Sequence, residues 1–347
     1  MFNFKTFVRA ATVAIGTMAA MATAHADTSI TGAGATFPYP VYAKWAEAYK
    51  AETGVGLNYQ SIGSGGGIKQ IQAGTVDFGA TDRPLDKATL DMTGLVQFPM
   101  VMGGIVPVVN LPGIAPDSIV LTGPVLAGMY SGSITNWNDP QIAQLNPGVT
   151  FPDKAILPVY RSDGSGTTFN FTTYLSRVSE WRDVNTSVEW PTGLGGKGNE
   201  GVAALVSQTD GAVGYVEFAY AIQNKMTYTK MINASGKTVS PSLATFQSAA
   251  AKADWNSVPG FGVILANQWG DDVWPMTAAT FILMHKKAGN AVTSAATLKF
   301  FKWSYEKGQN LAEGLQYVPM PANAVPQFEA VWNGITNDDG KPVLAAN

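Results

Sequence analysis

Residues 161–169, Arg-Ser-Asp-Gly-Ser-Gly-Thr-Thr-Phe, stand between an apolar run, 155–160, and a segment, 167–178, of helical length and composition. A buried strand that passes into a helix through two glycines and several hydroxyls is the repeating unit of an α/β sheet. Such a turn also presents unpaired backbone N–H groups and the positive end of a helix to anything anionic. Ser165 and Thr167 add hydroxyls there, and Arg161 adds a planar, permanently charged fork. An oxyanion site is therefore the first expectation for this stretch, although Gly-Ser-Gly alone suits a short capped loop equally well.

The same unit recurs upstream. Residues 30–38 read as a strand running into a glycine-bearing turn, and Val41, Trp45, Ala48 and Tyr49 then recur at helical spacing up to Gly54. Thr36 precedes that helix where an N-cap hydroxyl belongs, so by itself it reads as ordinary capping. Residues 56–60 form the next expected strand, 63–67 a Gly-Ser-Gly-Gly-Gly turn, and 68–73 a short helix, which puts Ser64 at a second helix start. A short strand over 76–80 ends at Thr81-Asp82-Arg83-Pro84. In an open α/β sheet, ligands lie beyond the carboxyl ends of the strands. Thr36, Ser64, Asp82 and 161–167 all occupy such ends, and their convergence says more than any single turn.

Composition narrows what the site can do. A chain of 347 residues is long for one core, so two domains are expected. Lys5, Arg9, a small and apolar stretch over 10–22 and Ala24-His25-Ala26 have the form of a secretory signal peptide, 1–26, which places the mature chain in the periplasm. The formal net charge is −3, and loss of Lys5 and Arg9 makes it more acidic still, a poor balance for a nucleic-acid partner. With no cysteine there is no thiolate chemistry or zinc-thiolate site, and no acylated Cys anchor. Only two histidines exist, His25 and His285, so a His-rich metal centre is excluded; His285, after the apolar run 281–284, reads as structural. No metal and no cofactor are expected.

Residues 100–110 form a further apolar strand, and a crossover between domains is placed near Asn110. Thr122 and Asp139 each stand as a cap before a helix carrying an early proline. Gly-Leu-Gly-Gly-Lys-Gly-Asn over 193–199 invites a nucleotide reading, but Lys197 is followed by glycine rather than the Ser/Thr that holds magnesium. It reads instead as a flexible loop capped by Asn199. A helix over 201–208, a buried strand over 212–215 and a helix over 219–225 follow. A return near Trp274 leads into the strand 281–284, and two amphipathic helices close the chain.

Four segments carry a resemblance: Thr-Gly-Ala-Gly-Ala-Thr-Phe-Pro at 31–38, Tyr-Gln-Ser-Ile-Gly-Ser-Gly-Gly-Gly at 59–67, Val-Asp-Phe-Gly-Ala-Thr-Asp at 76–82 and Arg-Ser-Asp-Gly-Ser-Gly-Thr at 161–167. Together with 193–199, 211–217 and 274–285, they make the mature chain resemble, over nearly its full length, the periplasmic phosphate-binding proteins of bacterial ABC-type phosphate importers. The resemblance implies an α/β fold of two lobes, type II-like, joined by two crossover strands around a central ligand cleft. Lobe 1 would comprise 27–110 plus 278–347, and lobe 2 would comprise 111–277. It implies phosphate contacts from Thr36, Phe37, Ser64, Asp82, Arg161, Ser165, Gly166 and Thr167, with Asp163 orienting Arg161. It also implies a monomer that closes on phosphate and delivers it, through its lobe tips, to membrane permease subunits and their ATPase. Two positions depart from the family pattern: Gly65 stands where a second serine is common, and Arg83 stands where a small residue often precedes the proline.

A phosphatase would also gather hydroxyls and an arginine around phosphate. Gly164-Ser165-Gly166 is not a G-x-S-x-G elbow, however, and one strand-borne histidine cannot supply both a base and metal ligands. An adhesive or purely structural exported protein would give no reason for glycines and hydroxyls at several strand ends. A binding protein, not an enzyme, is the expectation.

Overall fold

A computed structural model describes residues 29–344, so the signal-peptide segment 1–26 lies outside the described residues. Along the main sheet the order is Gly56–Ser61, Ser29–Gly34, Phe78–Thr81, Thr277–His285, Leu95–Val109, Ala212–Glu217, Leu157–Arg161, Leu194–Gly196. The first three strands pair in parallel, as do the last three. Each triplet follows from strand–turn–helix units, whose helical crossovers bring successive strands back in the same direction.

Two long antiparallel strands join the triplets. Leu95–Val109 pairs with Thr277–His285 as far as Gly104, opposite Thr277, and from Ile105 onward it pairs with Ala212–Glu217. The exchange of partners at Gly104 and Ile105 divides the molecule into two lobes, each with its own half of the sheet. The indole of Trp274 donates to Ile105 O at 2.8 Å, tying the return segment to that exchange point. Between Thr280 and Phe281 the register against the long strand slips, a bulge of the kind that re-aims side chains beside functional sites.

Each lobe has an aromatic core against its half-sheet. In the first lobe Tyr42, Phe78, Phe98 and Phe300 surround Phe301 edge-on, and Trp45 donates through its indole N–H to Gly308 O at 2.8 Å. In the second, Phe171 stacks on Tyr215 at 4.1 Å between centroids, with Tyr130 and Trp190 against both. The expected caps hold: Thr122 accepts from Val125 N, and Asp139 accepts from Gln141 N.

One helix begins earlier than its sequence suggests. It runs Ser64–Gln72, so the three glycines expected in a turn form its first turns. Tertiary contact overrides their poor propensity, because the helix lies against strand backbone: a Cβ on Gly67 would stand 2.5 Å from Gly34 Cα and 2.6 Å from Ala33 O. Close approach is what lets Ser64 reach the strand ends. Gly67→Ala should therefore destabilise the protein by about 1–3 kcal/mol, even though alanine gains about 1 kcal/mol in helix propensity. Gly289→Ala, which meets nothing within 4 Å, should change stability by less than about 0.5 kcal/mol. Urea unfolding midpoints compare the two, and equal midpoints would contradict the packing argument.

Candidate functional site

The carboxyl ends of Ser29–Gly34, Phe78–Thr81, Leu157–Arg161, Leu194–Gly196 and Ala212–Glu217 converge where the lobes meet, the place an α/β sheet keeps for ligands. All eight residues singled out in the sequence lie there. Thr36, Phe37, Ser64, Asp82, Arg161, Ser165 and Thr167 are buried, none more than 4 % exposed, and Gly166 opens the helix Gly166–Val178. The cluster is enclosed. A surface cavity of about 590 Å³ between Pro124, Trp181 and Glu189 on the second lobe includes none of these residues.

The hydroxyls are held with their oxygens facing N–H donors. Ser64 Oγ accepts from Asp82 N at 3.1 Å and from Gly166 N at 3.0 Å, the latter across the lobes. Thr36 Oγ1 accepts from Asn199 N at 3.1 Å and from Asn199 Nδ2 at 2.7 Å. Thr167 Oγ1 accepts from Asn199 Nδ2 at 3.2 Å, and Ser165, the N-cap of its helix, accepts from Thr168 N at 3.0 Å. A hydroxyl with both lone pairs occupied has only its proton left to offer. Thr36 and Ser64 are thus committed as donors.

Two backbone groups add to this. Neither Phe37 N nor Thr167 N donates to a partner among the described residues, and Thr167, second in its helix, has no intrahelical acceptor. Tyr220 donates to Thr36 O at 2.6 Å, and that carbonyl shares a peptide unit with Phe37 N, so the bond polarises the N–H. Gly166 N–H, by contrast, is engaged by Ser64.

Arg161 meets Asp163 through two bonds, Nε to Oδ1 at 2.8 Å and Nη2 to Oδ2 at 2.6 Å. Gly198 N braces Asp163 Oδ1 at 3.0 Å. Burial works to raise the Asp163 carboxyl, but the guanidinium outweighs it and holds Asp163 below the usual carboxylate range. The positive charge is therefore balanced within the protein, while Nη1 keeps its reach toward Thr167 Oγ1 at 3.5 Å.

Asp82 is the one carboxylate among these donors. Burial lifts its pKa to about 7, against opposing pulls from the nearby Thr280 hydroxyl, Arg161 and Ser64. Its Oδ1 has no hydrogen-bond partner, and neither do Thr280 Oγ1 and Tyr42 Oη behind it. A second buried carboxyl, Glu217, lies one layer back. Tyr317 Oη is 2.7 Å from both Phe37 O and Glu217 Oε2. Glu217 Oε2 also accepts from Ala219 N at 2.9 Å, and burial pushes its carboxyl well above the ordinary value.

Several sequence expectations change here. Thr36 does not cap its helix: Pro38 occupies the N-cap position without a side-chain bond, and the Thr36 hydroxyl faces Asn199 instead. Residues 193–199 are not a flexible loop capped by Asn199; Leu194–Gly196 is a strand, Gly198–Gln208 is a helix with Lys197 at its N-cap, and Asn199 is fully buried. Gly65 makes a contact of its own, since its N–H donates to Gly164 O at 2.8 Å and a Cβ there would lie 3.2 Å from Gly164 Cα. Arg83 lies 5.7 Å over the Phe169 ring and donates to Asn185 Oδ1 at 3.3 Å, so it bridges the lobes at the rim. His285 is structural, its Nε2 2.6 Å from Ile71 O. Asn170, whose Nδ2 donates to Asp82 O at 2.7 Å, joins Asn199 and Tyr220 among residues that local pattern did not reveal.

The family model described as a PBP superfamily domain matches residues 19–307. The phosphate-binding protein PstS of Xylella fastidiosa (strain 9a5c) is 54 % identical over 307 residues, covering 87 % of this chain and 84 % of that protein. PstS of Pasteurella multocida (strain Pm70) is 52 % identical over 318 residues, covering 90 % and 92 %. Among solved structures, a high-affinity periplasmic phosphate-binding protein, PfluDING, bound with phosphate, shares the fold at a TM-score of 0.73 with 19 % identity, over 92 % of this chain and 99 % of that one. A phosphate ABC transporter substrate-binding protein from Clostridium perfringens, with bound phosphate, aligns at a TM-score of 0.62 with 21 % identity, over 84 % and 100 %. With the two PstS proteins sharing more than half their residues with it along most of its length, the chain belongs to the PBP superfamily and, within it, to the PstS phosphate-binding proteins.

Proposed function

We propose that the protein binds one inorganic phosphate between its lobes and delivers it to an ABC-type importer. The observation that carries this reading is the enclosed cluster of polarised donors around a single carboxylate. The contacts would come from Thr36, Ser64, Ser165 and Thr167 hydroxyls, from Phe37, Gly166 and Thr167 N–H groups, from Arg161 and from Asp82. Gly166 N would exchange its bond to Ser64 for one to the anion. Because Asp163 balances Arg161, dipoles carry much of the anion's stabilisation.

The lobes in this reading are 27–110 plus 278–347 and 111–277, hinged where Leu95–Val109 and Thr277–His285 cross. Export by the segment 1–26 would place a monomer in the periplasm, and its lobe tips would meet permease subunits coupled to an ATPase. No helix among the described residues is long and apolar enough to cross a membrane.

Closure is tested by small-angle scattering. The phosphate-free protein should be more extended than the loaded one, and identical radii with ligand bound would contradict a hinged cleft.

Selectivity follows from Asp82. Phosphate near neutral pH carries a proton that an ionised carboxylate accepts, whereas sulfate carries none. Sites built on such a bond reject the analogue lacking it by roughly 10⁴–10⁵. Asp82→Asn, whose amide can donate, should narrow the phosphate-to-sulfate ratio mainly by admitting sulfate. The wild type should behave similarly in acid: below about 7 Asp82 becomes neutral and can itself donate, so the ratio should fall from about pH 8.5 to about pH 5.5. Competition titrations measure both, and a ratio indifferent to the substitution and to pH would place the discrimination elsewhere.

A further inference from the structure

The glycine-rich stretch 193–199 supplies no phosphate contact in the reading above, yet it delivers Asn199 into the middle of the cluster. Asn199 is fully buried and every polar atom of its side chain is used. Its Oδ1 accepts from Glu217 N at 2.9 Å, and because a backbone N–H can only donate, that bond fixes which end of the amide is oxygen. Nδ2 must then face the opposite way. There it divides its two protons between Thr36 Oγ1 at 2.7 Å, in the first lobe, and Thr167 Oγ1 at 3.2 Å, in the second. Its backbone N–H gives Thr36 Oγ1 a further bond at 3.1 Å.

We propose that Asn199 is a positioning residue for anion binding: by donating to two threonine hydroxyls on opposite lobes, it turns their protons toward the bound anion when the lobes close. The inference rests on the phosphate-binding reading. Without the Asn199 side chain the Thr36 hydroxyl keeps the backbone N–H of residue 199 on one lone pair and regains the other, so it can accept as well as donate. Its contribution then no longer favours an oxygen without a proton over one that carries one.

A double-substitution cycle tests this through the phosphate dissociation constant. Asn199→Ala should weaken phosphate by about tenfold in the wild-type background, and by less than about threefold once Thr36→Val has removed the hydroxyl it acts on. Equal losses in the two backgrounds would overturn the proposal, since a purely structural role is indifferent to the Thr36 hydroxyl. Asn199→Asp keeps the shape but replaces the donor by an acceptor, which draws both hydroxyl protons away from the anion. It should bind phosphate more weakly than Asn199→Ala, and tighter binding would likewise overturn the proposal. Should Asn199→Ala not fold, Asn199→Asp carries the same cycle with Thr36→Val. A wild-type protein that does not bind phosphate would refute the functional reading itself, whereas wild-type binding with additive losses would refute this inference alone.

Discussion

Ser64 Oγ lies between two backbone N–H groups, Asp82 N at 3.1 Å and Gly166 N at 3.0 Å, and those groups belong to different lobes. The rest of the site depends on that contact. It requires a helix that starts at Ser64 itself, hence three successive glycines where the helix crosses strand backbone. It requires a second helix starting at Gly166, hence the Gly-Ser-Gly turn after the strand Leu157–Arg161. It also requires the lobes to be together, which Asn170 to Asp82 O, Asn199 to Thr36 and Gly65 N to Gly164 O reinforce around it. None of these bonds is strong by itself, each contributing about 0.5–1.5 kcal/mol net. Their joint effect is to orient the Thr36 and Ser64 hydroxyls as the lobes come together, so that little reorientation remains once the cleft has closed.

Charge is handled with the same economy. A free guanidinium in a buried cleft would attract any anion, whereas Arg161 is matched by Asp163 and, through it, by Gly198 N. Attraction is thereby separated from discrimination. In the proposed reading, donors hold a tetrahedral oxyanion whatever its identity, and Asp82 asks whether one of its oxygens bears a proton. Burial sets the pH at which that question is asked, because it lifts the Asp82 carboxyl to about 7. The rim contacts of Arg83 with Phe169 and Asn185 lie outside this arrangement and act on closure.

Much of this was legible in the chain. Period-2 and period-3.6 patterns with glycines between them located the strand ends, and the structure brings the residues at those ends together. Local pattern failed wherever a partner distant in sequence decides the outcome. Gly65–Gly67 look like a turn because glycine disfavours helix, yet a Cβ at each would crowd a neighbour: Gly164 for Gly65, the Ile62 side chain for Gly66, and the backbone of Gly34 and Ala33 for Gly67. Asn199 looks like a cap because it precedes a helical run, yet its partners Thr36 and Thr167 come from two other elements. Tyr220 and Thr280 carry no signal beyond their own strand or helix. A full set of donors and acceptors, counted proton by proton, becomes visible only when the lobes are in contact.

The central claim is that one ionised carboxylate stands among donors and takes a proton-bearing oxygen from the ligand. Carbon-13 NMR of the Asp82 carboxyl group, with and without phosphate, reads this most directly. With phosphate bound the signal should stay that of an ionised carboxylate through neutral pH. An Asp82 that is protonated in the phosphate complex at about pH 8 would contradict the account, because its carboxyl could then donate to an oxygen of sulfate as readily as to one of phosphate.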